Sequence, residues 1–153
     1  MLPDGPAVRS VCETVLSAGF SGTIIDMSSC HPQDSLRLAD DITAEGSCFI
    51  DAPVSGGVAK AISAELMIMA GGKVDDIRGV QTLLATMGNL QHVGPVGAGH
   101  AMKALNNYVS AAGLLASFQA LATAKDAGIS PETFIKVINS STGRNNTTEV
   151  KLE

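Results

Sequence analysis

In residues 48–57, Cys48-Phe49-Ile50-Asp51-Ala52-Pro53-Val54-Ser55-Gly56-Gly57, the first four read as a short strand, which runs into Ala52-Pro53 and then out into Ser55 and glycine. Consecutive rather than alternating apolar positions suit a strand covered on both faces. Thr23-Ile24-Ile25-Asp26-Met27 upstream and Leu66-Met67-Ile68-Met69-Ala70 downstream repeat the pattern, and residues 89–93 give a shorter strand. Helical spacing fills the gaps. Val8, Val11, Val15 and Leu16 mark a helix over 7–17; Pro32 opens one striped by Leu36, Leu38, Ala39 and Ile42; a third runs over 74–86. Strands separated by helices of this length predict an α/β fold with a mostly parallel sheet.

At Gly94-Pro95-Val96-Gly97 the pattern changes. Residues 99–127 are rich in Ala and Leu, contain no proline, and predict about 29 residues of helix, roughly 43 Å long at 1.5 Å per residue. Apolar residues occur nearly all the way round it, so burial on several faces is expected. Gly128-Ile129-Ser130-Pro131-Glu132 reads as a helix stop and a new start, with Ser130 as N-cap, and the second helix ends near Asn139 in a polar stretch over 139–149. The expected division is a partial dinucleotide-binding domain over 1–94 and a partial all-α domain over 95–153.

Composition narrows the function. The chain has 153 residues, 45% hydrophobic and 16% charged, enough for a core. Ten Lys plus Arg against 15 Asp plus Glu give a net charge of −5, and aromatics make up only 3%. Such a chain offers neither a basic groove nor a stacking platform, so nucleic acid is not an expected partner. No apolar run approaches the ~20 residues that span a bilayer, and Met1-Leu2-Pro3-Asp4-Gly5-Pro6 lacks the pattern of a signal peptide. No membrane association is expected. Cys12, Cys30 and Cys48 form no CxxC pair and read as buried thiols of a reducing, cytoplasmic compartment. His31, His92 and His100 show no metal-ligand spacing with cysteines or carboxylates, so no metal site is expected.

Two segments carry chemistry. A strand ending in Ser55-Gly56-Gly57 leaves backbone N–H groups unshielded beside a hydroxyl, which suits a small carboxylate or phosphate; a plain tight turn fits the same residues. In Gly97-Ala98-Gly99-His100-Ala101-Met102-Lys103-Ala104-Leu105-Asn106-Asn107, Lys103 and Asn107 share one helix face. Desolvation among Met102, Ala104, Leu105 and Val109 would bring a lysine towards proton transfer at neutral pH, whereas a snorkelling lysine needs no chemistry.

Together the two segments resemble the β-hydroxyacid dehydrogenases, which include 3-hydroxyisobutyrate dehydrogenase and tartronate semialdehyde reductase. DAPVSGG stands at 51–57, the GxGxxxKxxNN signature is matched by Gly97, Gly99, Lys103, Asn106 and Asn107, and Asp26-Met27-Ser28-Ser29-Cys30-His31-Pro32 is similar to DxSTxxP. The resemblance implies hydride transfer between a small 3-hydroxy acid and NAD or NADP. It implies Lys103 as general acid/base, Asn107 as its orienting partner, and Ser55, Gly56 and Gly57 as carboxylate binders. Leu2, Pro3 and Ser29 would contact the cofactor. It further implies the C-terminal half of a Rossmann-type parallel sheet, followed by a long helix and the start of an all-α domain.

The departures are specific. Lys60, Ala64 and Glu65 stand where the family carries Gly, Gly and Thr, and a second lysine beside the carboxylate loop would suit a more acidic substrate. Tartronate semialdehyde reduction and L-threonate-type oxidation are therefore alternatives. Imine reductases share the fold, but Lys103 points to alcohol chemistry. No GxGxxG occurs, so the sequence reads as a piece lacking about 60 to 75 preceding residues, counted from βαβ units of ~30 residues. The family's later cofactor-side lysine has no counterpart here either. A fragment of this kind would associate with further copies through its sheet edge and long helix, and a non-catalytic binding or assembly module is the contrasting expectation.

Overall fold

Proline placed just after a short polar cap starts three helices. In the computed structural model, which describes residues 1–152, these are α1 (Gly5–Ser17), α2 (Pro32–Ala44) and α6 (Pro131–Asn139). Asp4, His31 and Ser130 accept the amides of Ala7, Gln33 and Thr133 at 2.9, 3.2 and 3.2 Å. The ring fixes φ and removes an amide that would have no partner in the first turn. The other elements are β1 (Thr23–Asp26), β2 (Cys48–Asp51), β3 (Val54–Ser55), α3 (Gly57–Ile62), β4 (Leu66–Gly71), α4 (Val74–Ala85), β5 (Gly88–Gly94), α5 (Ala98–Asp126) and α7 (Asn146–Val150). The chain divides into two compact units, Met1–Ala104 and Leu105–Glu153.

In the first unit, β1 and β2 run parallel with Asp26 opposite Asp51, and β4 and β5 also run parallel. The two pairs oppose each other: β4 is antiparallel to β2 through Asp51 and Gly71, and to β3 through Val54–Ile68 and Ser55–Met67. The sheet is therefore mixed, where the sequence suggested a mostly parallel one. The reason lies between β3 and β4. A parallel return needs a crossover of a dozen or more residues; the six-residue α3 reverses the chain instead, through Ala64 at φ 55°.

Successive strand residues feed opposite cores. Ile24 and Phe49 pack with Val8, Cys12, Leu38, Ala39 and Ile42 beneath α1 and α2. Ile25 and Ile50 pack with Ile68, Ile77 and Leu84 beneath α4. Helices thus cover both faces, and Ile42, Ile50 and Ile68 are fully buried, each contributing about 1.5–3 kcal/mol of transfer free energy.

In the second unit, α5 does not meet the expectation of burial on several faces: Tyr108 is 72% and Val109 68% exposed, and Leu105, Leu115 and Phe118 are also exposed. The helices that follow, of 9 and 5 residues, are too short to wrap it. Residues 139–149 are not wholly irregular, because Asn145 starts α7 with a reciprocal cap to Thr148. Of the cysteines only Cys12 is buried; Cys30 and Cys48 are half-buried, and all three are unbonded. Ile68→Ala is expected to cost about 2–5 kcal/mol, seen as a lower urea midpoint with little change in slope.

Candidate active site

Both apolar strands β1 and β2 close on an aspartate, and their parallel register sets Asp26 beside Asp51, both buried. Two adjacent buried carboxylates are costly unless hydrogen bonds satisfy them. Asp51 accepts the backbone N–H of Gly97 on Oδ1 at 2.7 Å and that of His100 on Oδ2 at 2.8 Å. Burial pushes the Asp51 carboxyl upward from its usual range, and the amides of His100 and Gly97 partly offset this. Asp26 accepts the amide of Ser28 at 2.9 Å. The buried His100 ring reaches the other groups of the cluster. Its Nε2 lies 3.1 Å from the Ser28 carbonyl and 3.7 Å from Asp26 Oδ2, and its Nδ1 lies 2.6 Å from Ser35 Oγ and 3.9 Å from Asp51 Oδ2.

Asp51 thereby holds the first turn of α5 against the carboxyl ends of β1 and β2. Gly99 makes the approach possible, because a Cβ there would collide with the carbonyl oxygens of Met69 and Asp51. Lys103 lies three residues beyond His100 and is half-buried; Asn107, exposed, follows four residues later on the same helix face. Ser55 ends β3, half-buried. Gly56 caps α3 at φ 138°, a conformation that favours glycine, and a Cβ there would meet the side chain of Lys60. Leu2 donates its amide to Ser28 Oγ at 2.8 Å, so the segment of Leu2 and Pro3 is pinned to the loop of Ser28 and Ser29, with Pro3 and Ser29 exposed.

The structure thus gathers Leu2, Pro3 and Ser29 at the carboxyl end of β1 and fastens the helix of Lys103 beside them. Among the described residues no hydrogen bond joins Ser55, Gly56 or Gly57 to Lys103. Asp26, Asp51, Ser35 and His100 carry the arrangement, yet sequence reading gave none of them a role. The available signal was an aspartate closing each of two apolar strands. Cys30 and His100, far apart in the chain, also meet Asp26 here, which no local spacing could show.

A family model described as the NAD binding domain of 6-phosphogluconate dehydrogenase matches residues 1–109, and one described as the NAD-binding of NADP-dependent 3-hydroxyisobutyrate dehydrogenase matches residues 97–153. The 2-(hydroxymethyl)glutarate dehydrogenase of Eubacterium barkeri is 36% identical over 157 aligned positions, covering 99% of this chain and 52% of that protein. The chain belongs to the β-hydroxyacid dehydrogenase family. Human mitochondrial 3-hydroxyisobutyrate dehydrogenase is 38% identical over 122 positions, covering 79% of this chain and 36% of its own length. The solved 3-hydroxyisobutyrate dehydrogenase of Mycobacterium tuberculosis with L-serine superimposes at a TM-score of 0.92 with 34% identity, over 99% of this chain and 52% of that one. The chain therefore spans about half the length of the Eubacterium and Mycobacterium proteins.

This is an enzyme family that uses NAD or NADP. The described residues fit one end of such a dinucleotide. Open α/β sheets bind ligands beyond the carboxyl ends of their strands, where the Leu2–Ser28 bond leaves Pro3 and Ser29 on one exposed edge. The glycine-rich phosphate loop is not among these 153 residues.

Removing Asp51 tests the anchor. Asp51→Ala strands two buried N–H donors at about 1–3 kcal/mol each, so a loss of roughly 2–6 kcal/mol is expected by urea unfolding. Asp51→Asn, which can satisfy one of the two donors, should lose less.

Proposed function

We propose that the protein containing this chain oxidises a small 3-hydroxy acid with NAD or NADP, with Lys103 as the general acid/base. The observation that supports it best is the seat of α5: the double hydrogen bond to Asp51 holds the Lys103 helix at the strand ends where the Leu2 and Ser29 loops meet. Bound there, the nicotinamide supplies the hydride acceptor. Lys103 Nζ takes the hydroxyl proton from the substrate, and the Asn107 side-chain amide holds the substrate oxygen and orients Lys103. Ser55 Oγ and the amides of Gly56 and Gly57 bind the carboxylate, so that a cation and an anion cradle flank one carbinol carbon. Residues 1–94 serve the dinucleotide and residues 95–153 begin the all-α domain.

The Mycobacterium relative solved with L-serine agrees with this substrate class, since L-serine is itself a 3-hydroxy acid. A second reading, an additional acidic group on the substrate, is favoured by Lys60. Its side chain packs beside Gly56 at the carboxylate loop, and the Eubacterium relative is named for a dicarboxylic acid. The exposed apolar side chains of Leu105, Tyr108, Val109, Leu115 and Phe118 support a homo-oligomer. Three unbonded cysteines suit a cytoplasmic setting, and among the described residues no helix is long and apolar enough to cross a membrane.

In the full-length protein, Lys103→Ala should lower kcat by about 10²–10⁴, the usual range for a positioned acid/base, while dinucleotide affinity measured by fluorescence stays unchanged. Near-normal turnover would exclude the lysine mechanism. On a panel of hydroxy acids, Lys60→Ala should reduce kcat/KM for dicarboxylic substrates at least tenfold more than for 3-hydroxyisobutyrate. Equal effects on both classes would leave Lys60 a solvated surface residue.

A further inference from the structure

The buried ring of His100 bridges the start of α5 to two other elements. Its Nε2 lies 3.1 Å from the carbonyl oxygen of Ser28 in the β1–α2 loop, and its Nδ1 lies 2.6 Å from Ser35 Oγ on α2. We propose that His100 is a positioning residue: through Ser28 it fixes the spacing between the loop of Ser29 and the α5 turn that carries Lys103. The inference rests on the roles given above to Ser29 at the dinucleotide and to Lys103 as acid/base.

The partners determine how the ring is bonded. A carbonyl oxygen only accepts, so Nε2 donates to Ser28, and in the neutral ring Nδ1 accepts the hydroxyl hydrogen of Ser35. A flipped ring would turn carbon towards both partners, so one orientation is selected. Ser35 and His100 are buried, and the Asp26 and Asp51 carboxylates stand 3.7 and 3.9 Å from the ring nitrogens. The backbone of the same residue is held as well, since the His100 amide donates to Asp51 Oδ2 at 2.8 Å. One residue thus ties the first turn of α5 to β2, to α2 and to the β1–α2 loop.

The link to the loop is the one that Asp51 cannot supply. The amides of Gly97 and His100 bond to the end of β2. Among the described residues, the bond from His100 Nε2 to Ser28 is the only hydrogen bond between α5 and the β1–α2 loop. Ser28 is the fixed point of that loop. Its amide donates to Asp26 Oδ1, its hydroxyl accepts the Leu2 amide, and its carbonyl belongs to the peptide group that leads into exposed Ser29. Lys103 lies three residues beyond His100 on α5 and is its neighbour on the helix surface. The path from Ser29 to Lys103 therefore runs through one peptide group, one ring and one helical turn, with no long flexible side chain in it. Hydride and proton transfer need the cofactor and the acid/base placed together, and a misplacement of ~1 Å costs about 10²-fold.

Substitutions at position 100 of the full-length protein, assayed with the most active hydroxy acid of the panel above, test this. A glutamine amide nitrogen stands near the place of Nε2 and can donate to Ser28; an asparagine reaches Ser35 but falls short of Ser28. His100→Gln should keep kcat and the dinucleotide Kd within about fivefold of the parent, the scale of one net hydrogen bond. His100→Asn and His100→Leu should lower kcat about 10–10²-fold at equal folded fraction by circular dichroism, and should raise the dinucleotide Kd about fivefold or more. Equal losses in His100→Gln and His100→Asn, or the parent kcat in His100→Leu, overturn the proposal. If these variants do not fold, Ser35→Ala decides, because it removes the hydroxyl that orients the ring and leaves the ring in place. Its kcat should fall about fivefold, and an unchanged kcat overturns the proposal. Lys103→Ala separates the two readings. Near-normal turnover there ends the acid/base role on which this inference stands, whereas an inactive Lys103→Ala beside a fully active His100→Leu removes the role of His100 alone.

Discussion

Asp51 accepts two backbone N–H groups from the first turn of α5 while buried at the end of a central strand, and the first unit is organised around that contact. A carboxylate in this position needs donors that do not move, and amides at a helix start are unpaired and preset by the backbone. The helix needs the aspartate equally, because Gly97 and His100 are buried and their amides would otherwise lack partners. Strand end and helix start thus satisfy each other. The glycine at position 99 is required by the closeness of that approach. Within the first unit, the start of α5 as far as Lys103 takes its seat from these two hydrogen bonds.

Parallel register adds a second consequence. With Asp51 fixed, Asp26 must lie beside it, and the structure answers with Ser28, Ser35 and His100 rather than with a lysine or arginine. The same Ser28 that bonds Asp26 through its amide receives the Leu2 amide on its hydroxyl. The segment of Leu2 and Pro3 and the loop of Ser28 and Ser29 are therefore tied, through one serine, to the aspartate pair beneath them. Burial, with Asp26 nearby, pushes the Cys30 thiol up to about 11. That cysteine is thus a weak nucleophile on its own.

Much of the fold was legible in the sequence because it is locally determined. Apolar runs bounded by glycine gave the strands, with 48–51 at its observed limits, and Ser130-Pro131 marked the α6 start through capping chemistry that needs no tertiary context. The mixed sheet was not legible, since strand direction depends on how α3 and Ala64 turn the chain, and short apolar strands look alike in either direction. The exposure of α5 was missed for a related reason. Apolar residues on every face state what a helix wants covered, not what lies against it. Lys103 and Ser55 could be proposed because they sit in spaced motifs, whereas His100 meets Ser35 and Ser28 from 65 and 72 positions away, which leaves no linear signature.

Amide hydrogen exchange at Gly97 and His100, resolved by NMR in the intact chain, tests the role of Asp51 most directly. If the carboxylate anchors α5, both amides exchange only through global unfolding of the first unit, with the same free energy as the core amide of Ile50. Exchange at Gly97 and His100 through a low-energy local opening, while Ile50 stays protected, would show that the start of α5 is held by something other than Asp51.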